Sequence, residues 1–301
     1  MSGSLLQVEE GMIMTRSNNL PYLFLAGSFT IIIIFKVIPI LSSLLISFYQ
    51  WDLVSNPLFV GFNNYLALFN DQVFLLSIFN TFYYSLATTV FSVIIGLILA
   101  LLLNKKSIKG KAVFRSIFFL PAICSMVAIS MIWMWMYDPN YGFLNYLLSI
   151  VGLSELRWLS DPKLAMPSLI LLAIWANVGY NMVIFLAGLQ GIPGHLYEVA
   201  QIDGASRIKQ LVNITLPLLK PTTFFVVTMQ IIRSFQVFSQ VYVMTQGGPV
   251  NKTEVVVYYL YQNGFEWFKM GYASSISMLL LVIVFVLTLI QNKVFGGNIG
   301  Y

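Results

Sequence analysis

The chain has 301 residues, of which 58% are hydrophobic and only 9% charged; a globular chain carries roughly 25% Asp, Glu, Lys and Arg. Mean hydropathy of +0.83, with 24 Phe, 16 Tyr and 6 Trp, excludes a water-soluble globule, a disordered tail and a nucleic-acid module. The single cysteine (Cys124) and single histidine (His195) exclude a disulfide framework and any metal site built on several thiols or imidazoles. What remains is an all-α membrane protein with no metal site and no catalytic residues assigned.

Six stretches reach the roughly 20 mostly apolar residues that a helix needs to cross the hydrocarbon. They are residues 22–48, 79–103, 112–136, 165–190, 222–244 and 271–291. None alternates with the two-residue period of a membrane β-strand. The first is too long for the apolar core of a secretion signal and no small-residue cleavage site follows it, so it reads as a retained helix. With the N-terminus inside, the inner segments hold ten bases: Arg16, Lys105, Lys106, Lys109, Lys111, Arg115, Arg207, Lys209, Lys220 and Lys293. The outer segments hold Arg157, Lys163, Lys252 and Lys269, so the bias follows the positive-inside rule. Both termini are expected in the cytoplasm, with residues 1–21 as an N-terminal tail, 22–292 as the six-helix domain and 293–301 as a C-terminal tail. Topology thereby accounts for the net charge of +5 without any nucleic acid. Tyr49, Trp51, Trp133, Trp135, Tyr137, Trp267 and Tyr272 flank spans and read as interfacial belts.

With Arg115 grouped with the basic inner turn, the charged residues inside the spans are Lys36 and Arg233, and all eleven acids fall in loops or the N-terminal tail. Carriers driven by protons or cations usually place Asp, Glu or His in the bilayer as a relay. No G-x-x-x-x-G-K-[ST] sequence is present to bind ATP. Active transport would therefore draw its energy from another subunit. Arg233 lies about twelve residues, or roughly 18 Å, into its span. On a continuous helix Gln230, Arg233, Gln236 and Gln240 share one arc of about 120°. Asn177 and Asn181 are four apart in the fourth span, with Tyr180 and Trp175 nearby. Amides, a guanidinium and rings together suit a sugar's hydroxyls and apolar ring face. Two readings of this stripe stand: it lines a translocation path, or it hydrogen-bonds helix to helix. Lys36, three residues before Pro39, reads as a partner for carbonyls freed at a helix interruption.

The most specific segment is the inner loop 191–221. It reads Gly191-Ile-Pro-Gly-His-Leu196-Tyr-Glu198-Val199-Ala200-Gln-Ile-Asp203-Gly204-Ala205-Ser206, and later Ile214-Thr-Leu216-Pro217. The spacing predicts a helix, a glycine break, and a second helix stopped by proline. Gly204 supplies a positive φ, Ser206 caps the second helix, and Leu196, Val199 and Ile202 form an apolar ridge. Either the ridge inserts into a partner or the loop is merely compact.

This loop closely resembles the E-A-A…G signature of permease subunits of ATP-binding-cassette importers, commonly E-A-A-x-x-D-G-A followed by I-x-L-P. Glu198, Ala200, Asp203, Gly204, Ala205, Ile214, Leu216 and Pro217 match, while Val199 replaces the usual middle alanine and Leu211 a common phenylalanine. The flanks Phe185–Pro193, Ser234–Pro249, Tyr137–Asn145 and Trp158–Pro162 resemble the carbohydrate branch of that family. The resemblance runs from about residue 20 onward and implies a type I importer permease similar to the first permease of maltose-type transporters. The large inserted external domain of the maltose subunit is missing here. It further implies a bacterial cytoplasmic-membrane complex of this chain, a second homologous permease, two ATPase subunits and an extracytoplasmic solute-binding protein that delivers a carbohydrate. ATP and Mg are then bound by the partner ATPases, and this chain has no cofactor of its own. Leu196, Glu198, Val199, Ala200, Asp203, Gly204, Ala205, Leu216 and Pro217 are the expected ATPase-coupling residues. Relatives often carry a small or neutral residue where Arg233 stands and an aspartate where Ser239 stands. The resemblance therefore implies a positively biased path, suited to an acidic oligosaccharide or, as an alternative, a phosphorylated polyol such as glycerol phosphate. A membrane enzyme is disfavoured because the outer acids (Asp52, Asp71, Asp138, Glu155, Asp161, Glu254 and Glu266) are dispersed. A passive channel would need a repeated carbonyl- or acid-lined filter, and none is evident.

Overall fold

The computed structural model describes residues 20–105 and 107–295; residues 1–19, Lys106 and 296–301, which hold most of both expected tails, lie outside that range. Among the described residues, five helices are long and apolar enough to cross a membrane, or six if one sharply bent pair forms a single span. The first expected span is α1 (Leu20–Ile32), a π-helical turn (Ile33–Val37) and α2 (Ile38–Ile46). Pro39 stands at the start of α2. Having no N–H to donate, it explains why the ladder widens to π just before it. Lys36 lies in that turn. Every residue from Leu25 to Ser42 is exposed, so this helix is left largely bare until α2 reaches the last helix.

A short antiparallel pair, β1 (Tyr49–Gln50) and β2 (Leu58–Phe59), comes next, with Tyr49 opposite Phe59. This is a small exception to the all-α expectation. After α3 (Asn63–Asn70) comes α4 (Gln72–Asn104), which starts seven residues before the expected 79. Its early start is set by Asp71, whose carboxylate accepts from the N–H groups of Val73 and Phe74 and so caps the helix.

The expected third span is not one straight helix. It divides into α5 (Lys111–Ile123) and α6 (Met126–Met136), bent by 101°. Pro121 inside α5 removes a backbone donor, and Cys124 and Ser125 then adopt extended backbone. Helix α7 (Phe143–Ile150) precedes α8 (Ala165–Gln190), the most buried span. α8 pairs along its length with α4 and receives α5 on another side. The approach is close: a Cβ on Gly179 would lie 1.8 Å from the carbonyl oxygen of Phe118. Without a hydrophobic force between helices in lipid, such small-residue contacts are what let backbones pack.

Then come α9 (His195–Ile202), α10 (Arg207–Gln210), a π-helical turn (Leu211–Thr215) and α11 (Leu216–Leu218). The expected fifth span is α12 (Lys220–Phe235) and α13 (Ser239–Met244), broken at residues 236–238. Helix α14 (Val256–Tyr261), a π-helical turn (Gln262–Glu266) and α15 (Met270–Phe295) complete the bundle. α12 packs on α4 and α15, α13 on α6, and α2 on α15.

The segment joining α13 to α14, expected as an exterior loop, dips into the bundle. Asn80 Nδ2 donates to the carbonyls of Asn251 (3.0 Å) and Glu254 (2.9 Å), and Val256 N–H donates to Thr81 Oγ1 (3.0 Å). Asn80 is nine residues beyond Asp71, so this segment sits about 13 Å down α4. α14 then climbs back, and the Tyr259 hydroxyl reaches Asp71 (2.5 Å). Glu254, counted from the sequence among the exterior acids, is buried at 2% exposure, and its Oε1 has no hydrogen-bond partner among the described residues.

Candidate functional site

Where α12 stops, a cavity of about 230 Å³ opens among α4, α6, α8, α12 and α13. Its lining includes Asn177, Gln230, Arg233, Gln236 and Gln240, five of the seven residues expected to face substrate. They arrive there by a different route from the one their spacing predicts. Gln236 is the residue that ends α12 and Gln240 lies in α13, beyond a Phe238 whose φ of −144° and ψ of −60° break the helix. The single-helix arc is therefore corrected: the break itself folds these residues around the cavity. Tyr84, Thr88, Met126, Ser234, Val237, Phe238 and Ser239 complete the wall, and among the described residues Arg233 is the one charged group in it.

The polar groups are held by the bundle's own donors and acceptors. Gln240 donates to the Tyr84 hydroxyl. Ser85 and Ser234 share a hydrogen bond of 2.5 Å between α4 and α12. Asn177 Nδ2 donates to the Ala173 carbonyl at 2.7 Å, which leaves its amide oxygen free of that bond. The Arg233 guanidinium lies over the ring of Tyr180, 4.1 Å from its centroid, a cation–π contact between α12 and α8 that aims the charge. Arg233 and Gln236 are exposed, whereas Gln230 and Gln240 are buried. Asn181 stands apart from the cavity. It is buried at the contact of α8 with α4, its Cβ 2.8 Å from where a Cβ on Gly96 would be, which is the place of a helix–helix residue.

Sequence reasoning missed the α4 contribution. Ser77, Thr81, Thr88 and Ser92 are buried, each returning its hydroxyl to a carbonyl three or four residues back. With Ser85 they form a row of small hydroxyls at helical spacing. The signal for that row lies in the sequence itself, as Ser or Thr recurring every three or four positions in an otherwise apolar span.

The loop between α8 and α12 matches its expected outline in most respects. Gly204 has φ of +72°, and nothing lies within 4 Å of where a Cβ would stand, so the backbone angle alone requires glycine. Ser206 Oγ accepts from Lys209 N–H at 3.4 Å. Val199 is 54% and Ile202 85% exposed, Leu196 is half-buried, and Ile208 (74% exposed) extends the ridge. Glu198, Asp203, Leu216 and Pro217 are exposed. Ala205 N–H donates to Ala200 O (2.8 Å), closing the turn. One expectation is corrected: Pro217 does not stop the second helix. The chain passes through a π-helical turn, which frees the position Pro217 cannot satisfy, and the interruption falls at Leu219. A tie that spacing did not reveal, Tyr197 to Thr215 (2.9 Å between hydroxyls), anchors α9 to the base of the span.

At the opposite end, Asp71 accepts from the Tyr259 and Tyr272 hydroxyls (2.5 and 2.6 Å) as well as from its capped helix. Burial alone would raise this carboxyl, but those donors outweigh it and hold it below its ordinary value. Burial, followed by the bond to Asp71, pushes the Tyr259 phenol up to about 12, so it remains a donor.

A model of the binding-protein-dependent transport system inner membrane component family matches residues 92–295. The chain is 37% identical over 282 residues to an arabinooligosaccharides transport system permease protein of Bacillus subtilis, covering 93% of this chain and 90% of that protein. It is 34% identical to an sn-glycerol-3-phosphate transport system permease protein of Agrobacterium fabrum, covering 94% and 96%. Among solved structures, a bacterial ABC transporter involved in import of the acidic polysaccharide alginate superposes with a TM-score of 0.81 at 26% identity, covering 92% of this chain and 94% of that one. Matching family residues over more than half its length and full-length relatives above one-third identity, the chain belongs to the binding-protein-dependent transport system inner membrane components.

Proposed function

We propose that this chain is the permease subunit of an ATP-driven carbohydrate importer, works by alternating access, and takes an oligosaccharide that carries negative charge. The observation that carries the substrate reading is the cavity at the α12 break: amide and hydroxyl groups around a single guanidinium, with no carboxylate among the described residues of the wall. Ser239, where relatives often have an aspartate, is part of that wall. Arg binds carboxylates with two parallel N–H donors, and Asn177, Gln236 and Ser239 offer both donors and acceptors to hydroxyls. The structural relative that imports an acidic polysaccharide supports the same reading. A phosphate would also suit Arg233, and the glycerol-phosphate relative keeps that substrate as the second reading.

In this proposal the end carrying Glu198 and both termini face the cytoplasm, and the Asp71 end faces the binding protein. This chain pairs with a second, homologous permease, and two ATPase subunits seat on the paired loops. Val199, Ile202 and Ile208 fill an apolar pocket of the ATPase while Glu198 makes polar contacts at its rim. ATP and Mg belong to those partners. The rotation that closes the ATPases is passed through Gly204 and the Tyr197–Thr215 tie into α12, whose break forms the cavity wall.

The test is uptake by Arg233→Met in assembled importers, with one acidic and one neutral oligosaccharide of equal length. We expect uptake of the acidic sugar to fall at least about tenfold, with a much smaller loss for the neutral one. Equal loss on both refutes charge selection. Copurification of an ATPase lost on Glu198→Lys checks the coupling role separately.

A further inference from the structure

A second set of side chains reaches the same cavity from α13 and α14. Phe238 lines the cavity and stacks on Tyr242, one turn along α13, at 5.3 Å between centroids and 22° between planes. Both meet Tyr261 of α14, at 5.3 and 5.5 Å. Tyr261 stacks on Tyr258 (6.3 Å, 22°) and on Phe265 (5.6 Å, 27°). Tyr258 is itself buried at 4% exposure; the other four rings form a continuous series from the cavity wall to Phe265, which is 59% exposed in the π-helical turn that leads to the Asp71 end of α15.

These rings differ from the aromatic residues that only fill the core. Tyr84 and Tyr137 are buried at 3% and 1% exposure, with hydroxyls committed to Gln240 and to the Ser168 carbonyl. Tyr242, by contrast, is 41% exposed although it sits on α13, next to the deep segment at the level of Asn80. The Tyr242 and Tyr261 phenols hydrogen-bond to each other, and hydrocarbon would offer nothing to their remaining donor and acceptor capacity. A wet path satisfies them. Rings with hydroxyls at their edges match a sugar, whose apolar C–H faces pack on aromatic planes while its hydroxyls exchange hydrogen bonds. Each contact is weak, so a sugar unit that rests on one ring is not held there.

We infer that Phe238, Tyr242, Tyr261 and Phe265 form an aromatic lane that carries an oligosaccharide, unit by unit, from the Asp71 end into the Arg233 cavity. The lane rests on the carbohydrate reading and adds to it a set of contacts outside the cavity. Dependence on the rings should grow with the length of the sugar, since only a longer chain occupies the cavity and the lane together.

The experiment uses the assembled importer in membrane vesicles, with Cys124→Ser removing the chain's one thiol. Cysteine is placed at Tyr242, at Phe265 and, as a control, at Phe285, which is 60% exposed on α15 and outside the lane. A membrane-impermeant sulfonate thiol reagent is added from the binding-protein side. Labelling of Tyr242→Cys and Phe265→Cys but not of Phe285→Cys supports an aqueous lane. In parallel, uptake of di- to hexasaccharides from malto-oligosaccharide and oligogalacturonide series is compared for Tyr242→Ala and Tyr242→Phe. Tyr242→Ala should lower hexasaccharide uptake roughly threefold to tenfold more than disaccharide uptake, the size of one aromatic contact, and Tyr242→Phe should restore most of it. If Tyr242→Cys is unlabelled, or the loss is the same at every length, the rings are packing against the partner permease and the lane is wrong. Failure of the unsubstituted importer to take up any of these sugars overturns the carbohydrate reading and the lane with it. Normal transport with unlabelled Tyr242→Cys overturns the lane alone.

Discussion

The Glu198 loop and the Arg233 cavity occupy consecutive stretches of chain, yet they are built in opposite ways. The loop is a local device. Its shape follows from one left-handed glycine, one serine cap and the Ala200–Ala205 turn, and its apolar residues stay exposed. The cavity is a collective device. Its α12 and α13 residues converge only because of the break at 236–238, and three other helices must close around that break. On the function proposed above, the loop is a surface for another subunit, and such a surface can be written in a few contiguous residues. A path through the chain has to be assembled from distant ones, and it inherits the packing demands of the whole bundle.

Substitutions can break this contrast. The largest effect is expected for Gly179→Val, which pushes a side chain into the Phe118 carbonyl where α8 meets α5. It should destabilise the bundle by about 3 kcal/mol or more, read as a lower thermal midpoint and less folded protein after detergent extraction. If the midpoint is unchanged, the cavity does not depend on that tight contact. Gly204→Val acts next, and locally. Forcing a β-branched residue to φ of +72° costs about 1–2 kcal/mol, so the loop shifts while the bundle survives. Uptake should drop about tenfold or more, ATP hydrolysis should become uncoupled from it, and the amount of protein in the membrane should stay normal. Normal uptake in this variant would refute a coupling role for the bend.

Asp71→Asn should remove about 1–2 kcal/mol by weakening the bonds from Tyr259 and Tyr272. The sign of its pH dependence follows from the lowered carboxyl. The folded chain binds that proton less readily than the unfolded chain, so the stabilisation is present above the ordinary carboxylate range and is lost as pH falls through the folded-state value. Melting curves of the native chain and of Asp71→Asn should therefore converge under acid; a constant gap would remove Asp71 as the cause. The smallest effect belongs to Ser206→Ala, about 0.5–1 kcal/mol for one cap on a four-residue helix. Faster backbone hydrogen exchange at Lys209 is its expected signature, with the cavity unaffected.

The same contrast explains which features are legible in the sequence. Gly204 and Ser206 act through their own backbone and next neighbours, so their roles can be read from spacing. The membrane helices are legible from length and apolarity, but their interruptions only half so. Pro39, Pro121 and Pro217 mark where a donor is missing, and the sequence does not say whether the helix answers with a π-turn, as before Pro39 and Pro217, or with a bend of 101°, as after Pro121. Arg233 and its neighbours stand out as polar residues in an apolar span, although their arrangement does not, because no proline or glycine announces the break at Phe238. Asn181 and Asn177 look alike on a helical wheel. Only the position of α4 separates the one that packs against Gly96 from the one that faces the cavity.

The segment between α13 and α14 turns back where Asn80 holds it, about 13 Å along α4 from its Asp71 end. In the orientation proposed above, this segment lies between the Arg233 cavity and the Asp71 side. It is a short plug made of one backbone turn, the buried Glu254 side chain and the first turns of α14. A thin seal needs only a small displacement to open and only a small one to close, which limits how far the chain must move to switch access. The cost is leakiness: with little protein between the cavity and the Asp71 side, loosening this plug would let small solutes through without any turn of the ATPase.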